Sequence, residues 1–380
     1  MLTAACGSST HSSTPSTTTQ STKTAATTSP SASSVSSANS TPPTASAGAQ
    51  SGSAAPENAA AQAFLGRYVT SDGRVLRHDQ GGDIVSEGQA YAMLIAELAG
   101  VPSKVRTIWS WTKSHLQRPD ALLSWHARSD GSVIDKQSAA DGDTLVAYAL
   151  LRYDGPDAQS LHDDGRRLAS AVLAHETTKL GDGRLVVVAG PWATGSGVVD
   201  PSYWMPAVDD DLASLTGDDR WSAVAKTAVQ LVSDVTDGGR RLPPDWAKVQ
   251  GNRIVATGTP DGSTGVQYGL DAQRLPLWFA TACSGQAQEL AAGWWKNALS
   301  QNGRASAIAL STDGKPLNTA TNPLSLLAGA AAASAAKDSA SSNQLRGRAE
   351  AQAKSTPTYY GDAWLALGPA LLDGQLTHCS

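Results

Sequence analysis

The sequence predicts an all-α fold: a closed barrel of helical hairpins with minor β-strands. Three observations point to it. About twelve stretches between residues 57 and 380 repeat apolar residues with the period of an α-helix. Gly, Asp and Pro separate these stretches, as helix ends and loops require. No strand–helix–strand alternation occurs, which argues against a doubly wound parallel sheet. Twelve helices in one unit suit a closed ring better than a bundle.

The elements follow in order. A short helix precedes Phe64. In the next, Tyr91, Leu94, Ile95 and Leu98 keep the i, i+3, i+4, i+7 spacing of one helix face. Similar runs cover 105–116, 145–151, 161–174, 212–215, 221–232, 275–282, 287–298, 324–336, 344–353 and 364–372. Segments 184–189 and 73–76 read as minor strands. No internal repeat has a strict period.

Residues 1–56 are different. Ser, Thr, Ala and Pro dominate, and Lys23 is the only charged residue. Such a segment has no apolar set to bury, so a disordered tether is expected there and one catalytic-sized domain at 57–380. Small residues before Cys6, then Gly7-Ser8-Ser9, resemble a bacterial lipoprotein cleavage site. The expectation is a lipidated Cys6 and a cell-surface, extracellular protein. The sequence carries no positively charged, long apolar stretch ahead of Cys6. No later stretch is apolar enough to span a bilayer.

Charge and cysteines exclude several classes. The net charge is -5, so no basic footprint for nucleic acid exists. Three cysteines make neither a disulfide framework nor a four-thiolate zinc site. Cys283 and Cys379 could pair outside the cell or remain free thiols. No His-Glu-x-x-His pair and no Gly-x-Ser-x-Gly elbow occur.

Three helix starts carry acids. Ser86-Glu87-Gly88-Gln89 has capping-box spacing, with Ser86 as N-cap and Glu87 as the first helical residue. Tyr91 follows Glu87 by one turn on the same face, beside a cleft or in the core. Ser138-Ala139-Ala140-Asp141-Gly142-Asp143 has similar spacing, and Asp141 and Asp143 must point apart. Asp271 opens the third run, with Arg274 one turn later. Each acid alone reads as a cap. Together, at the inner-helix starts of a barrel, they would converge in one cleft. Two carboxyl groups flanking a glycosidic bond are what sugar hydrolysis needs. The helix dipole would lower the pKa of Glu87, so a neighbouring anion such as Asp141 would have to raise it.

These segments, in this order, resemble glycoside hydrolase family 8. Asp200-Pro201-Ser202-Tyr203 with Trp204-Met205-Pro206, Thr216-Gly217-Asp218-Asp219-Arg220-Trp221, and Tyr359-Tyr360 before the last helix extend the likeness over residues 61–376. The resemblance implies an (α/α)6 barrel and an inverting endo-β-1,4-glucanase, cellulase-like. By it, Glu87 is the general acid, Asp271 the general base, and Asp141 holds the central sugar. It also places Tyr203 near the attacking water, and Arg274 orients the carboxylates. It implies no cofactor and no metal, and the expected state is a monomer acting on a β-linked polysaccharide. The sequence departs from the family pattern at Ala140, where Ser or Thr is usual. It departs again at Asp200, where Asn is common, and at Leu270, where Tyr is frequent. These departures bear on substrate: xylan, chitosan or mixed-linkage glucan are alternatives, with Asp209, Asp210 and Asp211 as candidate partners for amines. A non-catalytic sugar-binding lipoprotein on the same barrel is the alternative from another class.

Tryptophan is in excess, 11 against 2 Phe. Indole faces stack on sugar C–H faces, so Trp125 and Trp204 are the candidate platforms. Trp109 and Trp111 are two apart in a helix, so at most one of them is expected to face the core or cleft. Trp278, Trp294, Trp295 and Trp364 lie in apolar runs and read as core. His126 reads as a surface-loop residue.

Overall fold

Burial separates two kinds of helix in this protein. Residues 323–333 of one helix are all buried, whereas the charged helix after it buries only Ser342, Leu345, Ala349 and Ala353. A helix apolar all round belongs inside, and one with a narrow apolar stripe belongs outside. The computed structural model describes residues 56–301 and 303–377, with side chains from residue 59 onward. The expected tether, Cys6 and Cys379 lie outside the described residues.

Twelve α-helices occur among the described residues: α1 (Pro56–Tyr68), α2 (Ser86–Leu98), α3 (Pro102–His115), α4 (Ala140–Arg152), α5 (Ala158–His175), α6 (Pro206–Thr216), α7 (Arg220–Val235), α8 (Leu275–Ala280), α9 (Gly285–Trp294), α10 (Pro323–Ala335), α11 (Ser339–Ser355) and α12 (Tyr359–Leu372). The even-numbered helices pack in sequence, α2 on α4, α4 on α6, α6 on α8, α8 on α10 and α10 on α12. The ring closes where α12 packs back on α2. Outside it, α3, α5, α7, α9 and α11 each lie on the even helix before them, and α1 lies on α12. This is the expected (α/α)6 barrel.

Short antiparallel strands precede the inner helices. β1 (Ile84–Val85), β2 (His126–Ala127) and β3 (Val133–Asp135) form one sheet, with Val85 opposite His126. β4 (Thr177–Lys179) pairs with β5 (Leu185–Val187), inside the segment expected as a strand. β6 (Val198–Val199), β7 (Trp246–Gln250) and β8 (Arg253–Thr257) form the third sheet. The 73–76 region is not a strand; only Val75 makes a bridge, to Val69. The β7–β8 hairpin was not expected.

Tryptophan placement corrects one expectation. Trp109 and Trp111 are both buried, at 3% and 6% exposure. Trp109 donates its indole N–H to Asp164, and Trp111 stacks on His115. Both sides of α3 are covered, so spacing alone misjudged them. Trp278, Trp294, Trp295 and Trp364 are core residues, as expected. Cys283 is disulfide-bonded.

Candidate active site

The two expected capping boxes do not form, and their side chains do other work. α2 begins at Ser86 itself, after extended Val85. Gln89 turns away from the helix start: its carbonyl oxygen accepts from Val75 N–H at 2.8 Å. Its amide donates to Gly73 O at 3.0 Å and Thr112 Oγ1 at 2.7 Å. Gln89 therefore pins the 73–75 loop beneath α2. Ser138 donates to Glu176 Oε1 at 2.6 Å instead of capping α4.

Glu87 and Asp141 meet because α2 and α4 touch at their starts. A Cβ on Gly142 would stand 2.5 Å from Ser86 Oγ and 2.9 Å from the Glu87 backbone nitrogen. Only glycine permits that approach. Gly88 serves similarly, since Tyr359 Oη fills the place a Cβ would take. The third acid is held by a different device. Asp245 Oδ1 accepts the N–H groups of Gly269 (2.7 Å) and Ala272 (2.9 Å), and its Oδ2 accepts from Gln267 at 2.9 Å. Gln273 then ties the turn to Ala307 O and Ser325 Oγ. Asp271 itself makes no capping bond, so its carboxylate stays available.

One buried guanidinium gathers the acids. Arg274 Nη1 lies 2.5 Å from Glu87 Oε1 and 2.8 Å from Asp141 Oδ2. Its Nη2 donates to Ser202 Oγ at 2.6 Å. The same Nη2 lies 3.5 Å from Asp200 Oδ2 and 3.7 Å from Asp271 Oδ1. Tyr91 donates to Glu87 Oε1 at 2.8 Å, so it belongs to the cleft side of α2. The Arg274 guanidinium stands 5.3 Å from the centre of the Tyr203 ring. Exposure sorts the carboxyls. Glu87 and Asp271 side chains remain 19% and 20% exposed, against 6% for Asp141 and 1% for Asp200. Only Glu87 and Asp271 offer a substantial tip to an incoming molecule.

Electrostatics separate these groups from ordinary acids. Burial pushes the Glu87 carboxyl up; Arg274 opposes this and Asp141 adds to it. Desolvation thus outweighs the neighbouring anion as the cause. Asp271 stands well above the ordinary carboxyl range, through burial first and then the charges of Asp200, Asp245 and Glu87, with Arg274 opposing. Burial pushes Asp200 up to about 7.

Six of the eight cleft residues expected from sequence therefore meet at Arg274: Glu87, Asp141, Asp271, Tyr203, Tyr91 and Arg274 itself. Trp204 does not join them. It is 2% exposed, and its indole N–H is bonded to Val187 O at 2.9 Å. It is a core side chain, because the 201–203 turn carries Tyr203, not Trp204, toward Arg274. Trp125 lies between the starts of α2 and α4, with its carbonyl accepting Ser86 N–H at 2.9 Å. Its ring is 7% exposed and packs with Val85 and Ala139. Trp192 is the one tryptophan that is not fully buried. It follows Ala189, whose carbonyl accepts the N–H of Ala140 at the α4 start. The expectation missed Asp200, Ser202 and Asp245 as parts of the cluster.

The family model described as glycosyl hydrolases family 8 matches residues 36–372. The chain belongs to glycosyl hydrolases family 8. The match begins inside the Ser/Thr/Ala/Pro-rich tract. A probable endoglucanase of Novacetimonas hansenii is 35% identical over 231 residues, 57% of this chain and 64% of that protein. Endoglucanase A of Acetivibrio thermocellus is 30% identical over 202 residues, 50% of this chain and 40% of that protein. The aligned parts thus span less than two thirds of these relatives. Among solved structures, the endo-beta-1,4-glucanase CMCax from Acetobacter xylinum matches with a TM-score of 0.68 and 26% identity. That match covers 84% of this chain and 99% of the other. A beta-1,3-1,4-glucanase from Paenibacillus sp. X4 shares the fold, with a TM-score of 0.74 at 19% identity over 84% of this chain and 91% of that one.

A second acid pair lies behind this family 8 site. Asp143, on the far side of α4 from Asp141, and Glu176 are both fully buried, and each keeps one carboxyl oxygen without a hydrogen-bond partner. Asp143 Oδ1 accepts Leu123 N–H at 2.9 Å. Burial pushes Glu176 up to about 8, and burial with the Glu176 charge holds Asp143 far above its usual range. A carboxyl that binds its proton more tightly when folded stabilises the fold most at low pH. That contribution is complete below the ordinary carboxyl pKa of about 4 and is lost as pH rises through the folded value. The melting temperature should therefore fall from pH 5 toward pH 8, and Glu176→Gln should flatten the slope. Thermal melts of both proteins across that range are the check; parallel curves would sink the assignment.

Proposed function

We propose that this chain is an inverting endo-β-1,4-glucanase. The observation that carries the reading is the Arg274 cluster, in which only Glu87 and Asp271 present exposed carboxyl tips. The endoglucanase relatives support the substrate class. In this mechanism Glu87, its proton retained by burial, protonates the glycosidic oxygen as the C–O bond breaks. Asp271 takes a proton from water as the water oxygen bonds to the anomeric carbon from the opposite face. Glu87 is left ionised and Asp271 protonated, and exchange with solvent resets both. Asp141, bonded to Arg274, holds the central sugar, and Tyr203 lies beside the attacking water. Export, with Cys6 acylated and residues 1–56 as a leash to the cell surface, belongs to the same proposal.

Proton NMR of the first products from a soluble β-1,4-glucan oligosaccharide tests the stereochemistry. The α-anomer should form first and then mutarotate. Initial β-anomer would overturn inversion. Parallel assays on xylan, chitosan and mixed-linkage glucan test the substrate, and faster reducing-sugar release from any of them would replace β-1,4-glucan. Binding without turnover on the whole panel would leave only a sugar-binding role.

A further inference from the structure

Asp271 opens a helical turn, where an acid is ordinarily used up as a cap. Here that work is done from another part of the chain. Asp245, the residue before β7, is 6% exposed and accepts three hydrogen bonds from residues 267–272, the segment that carries Asp271. Its Oδ1 takes the N–H groups of Gly269 at 2.7 Å and Ala272 at 2.9 Å, on either side of Asp271 in the chain. Its Oδ2 takes the Gln267 side-chain amide, and its own N–H donates to Gln267 O at 2.8 Å. The fit is close: a Cβ on Gly269 would stand 2.3 Å from Asp245 Oδ2.

The next residue extends the contact. Trp246 opens β7, is 3% exposed, and sets its ring across that of Tyr203, with centroids 6.4 Å apart at 67°. Tyr203 reaches that place because β6 pairs with β7, Val199 opposite Ala247, and β6 runs into the 200–203 turn. Residues 245 and 246 therefore touch both groups that the proposed mechanism sets at the water. Glu87 is held separately, by Tyr91 and Arg274.

We propose that Asp245 is a positioning residue for the water-activating half of the site: it caps the 269–272 turn in place of Asp271 and, with Trp246, fixes Asp271 and Tyr203 relative to one another. The inference rests on the reading of Asp271 as base. Without Asp245 the N–H groups of Gly269 and Ala272 are left unpaired in a buried place, which is costly. The Asp271 carboxylate, at the start of the same turn, is then drawn back to cap them and leaves the water.

Asp245→Ala should lower kcat on soluble β-1,4-glucan by about 10²-fold with KM little changed, since a displacement of about 1 Å at the reacting groups suffices for such a loss. Asp245→Asn keeps one acceptor oxygen for the two N–H groups and should recover most of the rate. Gly269→Ala pushes Asp245 off the turn from the other side, so it should reproduce the loss, and it carries the same tests should Asp245→Ala not fold. The double variant should be no slower than the worse single one; additive losses would overturn the proposal. Azide separates positioning from general damage, because it is a nucleophile that needs no base. Its nitrogen bonds to the anomeric carbon as the glycosidic C–O bond breaks and Glu87 passes its proton to the leaving oxygen, giving an α-glycosyl azide. Azide should restore turnover to Asp245→Ala as it does to Asp271→Ala. A wild-type kcat in Asp245→Ala, or a loss that azide leaves untouched while Asp271→Ala responds, would overturn the positioning role alone. Asp271→Ala that is fully active, or slow and unresponsive to azide, would remove the base reading beneath it.

Discussion

Glu87→Gln and Asp271→Asn should each lower kcat on soluble β-1,4-glucan by on the order of 10³-fold while the fold stays intact. The two losses differ in kind. In the proposed mechanism Glu87 supplies a proton to the leaving oxygen, so its contribution shrinks when the leaving group departs without help. With a glycosyl fluoride donor, Glu87→Gln should recover most of its rate. In the same proposal Asp271 acts on the water, which every substrate needs, so Asp271→Asn should remain slow on both. Near-wild-type rates in either variant on the polysaccharide would remove that residue from the mechanism. Equal recovery of both with fluoride would show that the roles are wrongly divided.

The pH profile should reflect the same division. Glu87 is pushed up mainly by burial, so it keeps its proton above the ordinary carboxyl range and loses it on the alkaline side. Asp271 is also pushed up, by burial and by Asp200, so it loses its proton only at a pH above that range. Activity then needs Glu87 protonated and Asp271 ionised, a window that closes in acid through Asp271 and in base through Glu87.

The helices were legible because most carry an apolar period, or like α10 a continuous apolar run, that tertiary packing reinforces. The ring closure of α12 on α2 was not, since periodicity is local. The acids at the starts of α2 and α4 and before α8 were legible as a set, through motif order. Their support was not. Gln89 has the spacing of a cap residue, yet it bonds Val75, Gly73 and Thr112 across 14 to 23 positions. Asp245 sits 24 to 27 positions from the N–H groups that it holds. No sequence period encodes such pairs. The β7–β8 hairpin did carry a signal. Gly251-Asn252 is a two-residue turn of hairpin type, with Gly251 at a φ of 63°. The tryptophan excess misled in the opposite way. Ten of the eleven are buried, so indole here mostly fills the core.

Arg274 is where the largest loss of stability is expected. It is 3% exposed, contacts Glu87 and Asp141 through one nitrogen, and serves Ser202, Asp200 and Asp271 through the other. Arg274→Met would leave these acids buried without compensation, at a cost of about 3–5 kcal/mol. The sign of its pH dependence follows from the carboxyls. Arg274 opposes the upward shifts of Glu87, Asp200 and Asp271, so its removal raises their proton affinities further in the folded state only. The deficit against wild type should therefore be greatest near neutral pH, where the unfolded chain holds these groups ionised. It should narrow as pH falls toward about 4, where both states bind the protons. Arg274→Lys keeps the charge but is a single point, and it cannot hold Glu87 and Ser202 at once. It should recover part of the stability while losing roughly 10²-fold in kcat, since the acid and the base lose their common reference. Denaturant melts at pH 4.5 and 7, with kcat for both variants, measure each part. A deficit independent of pH would mean that Arg274 acts by packing alone, and full activity in Arg274→Lys would mean that charge without the two-pronged geometry is enough.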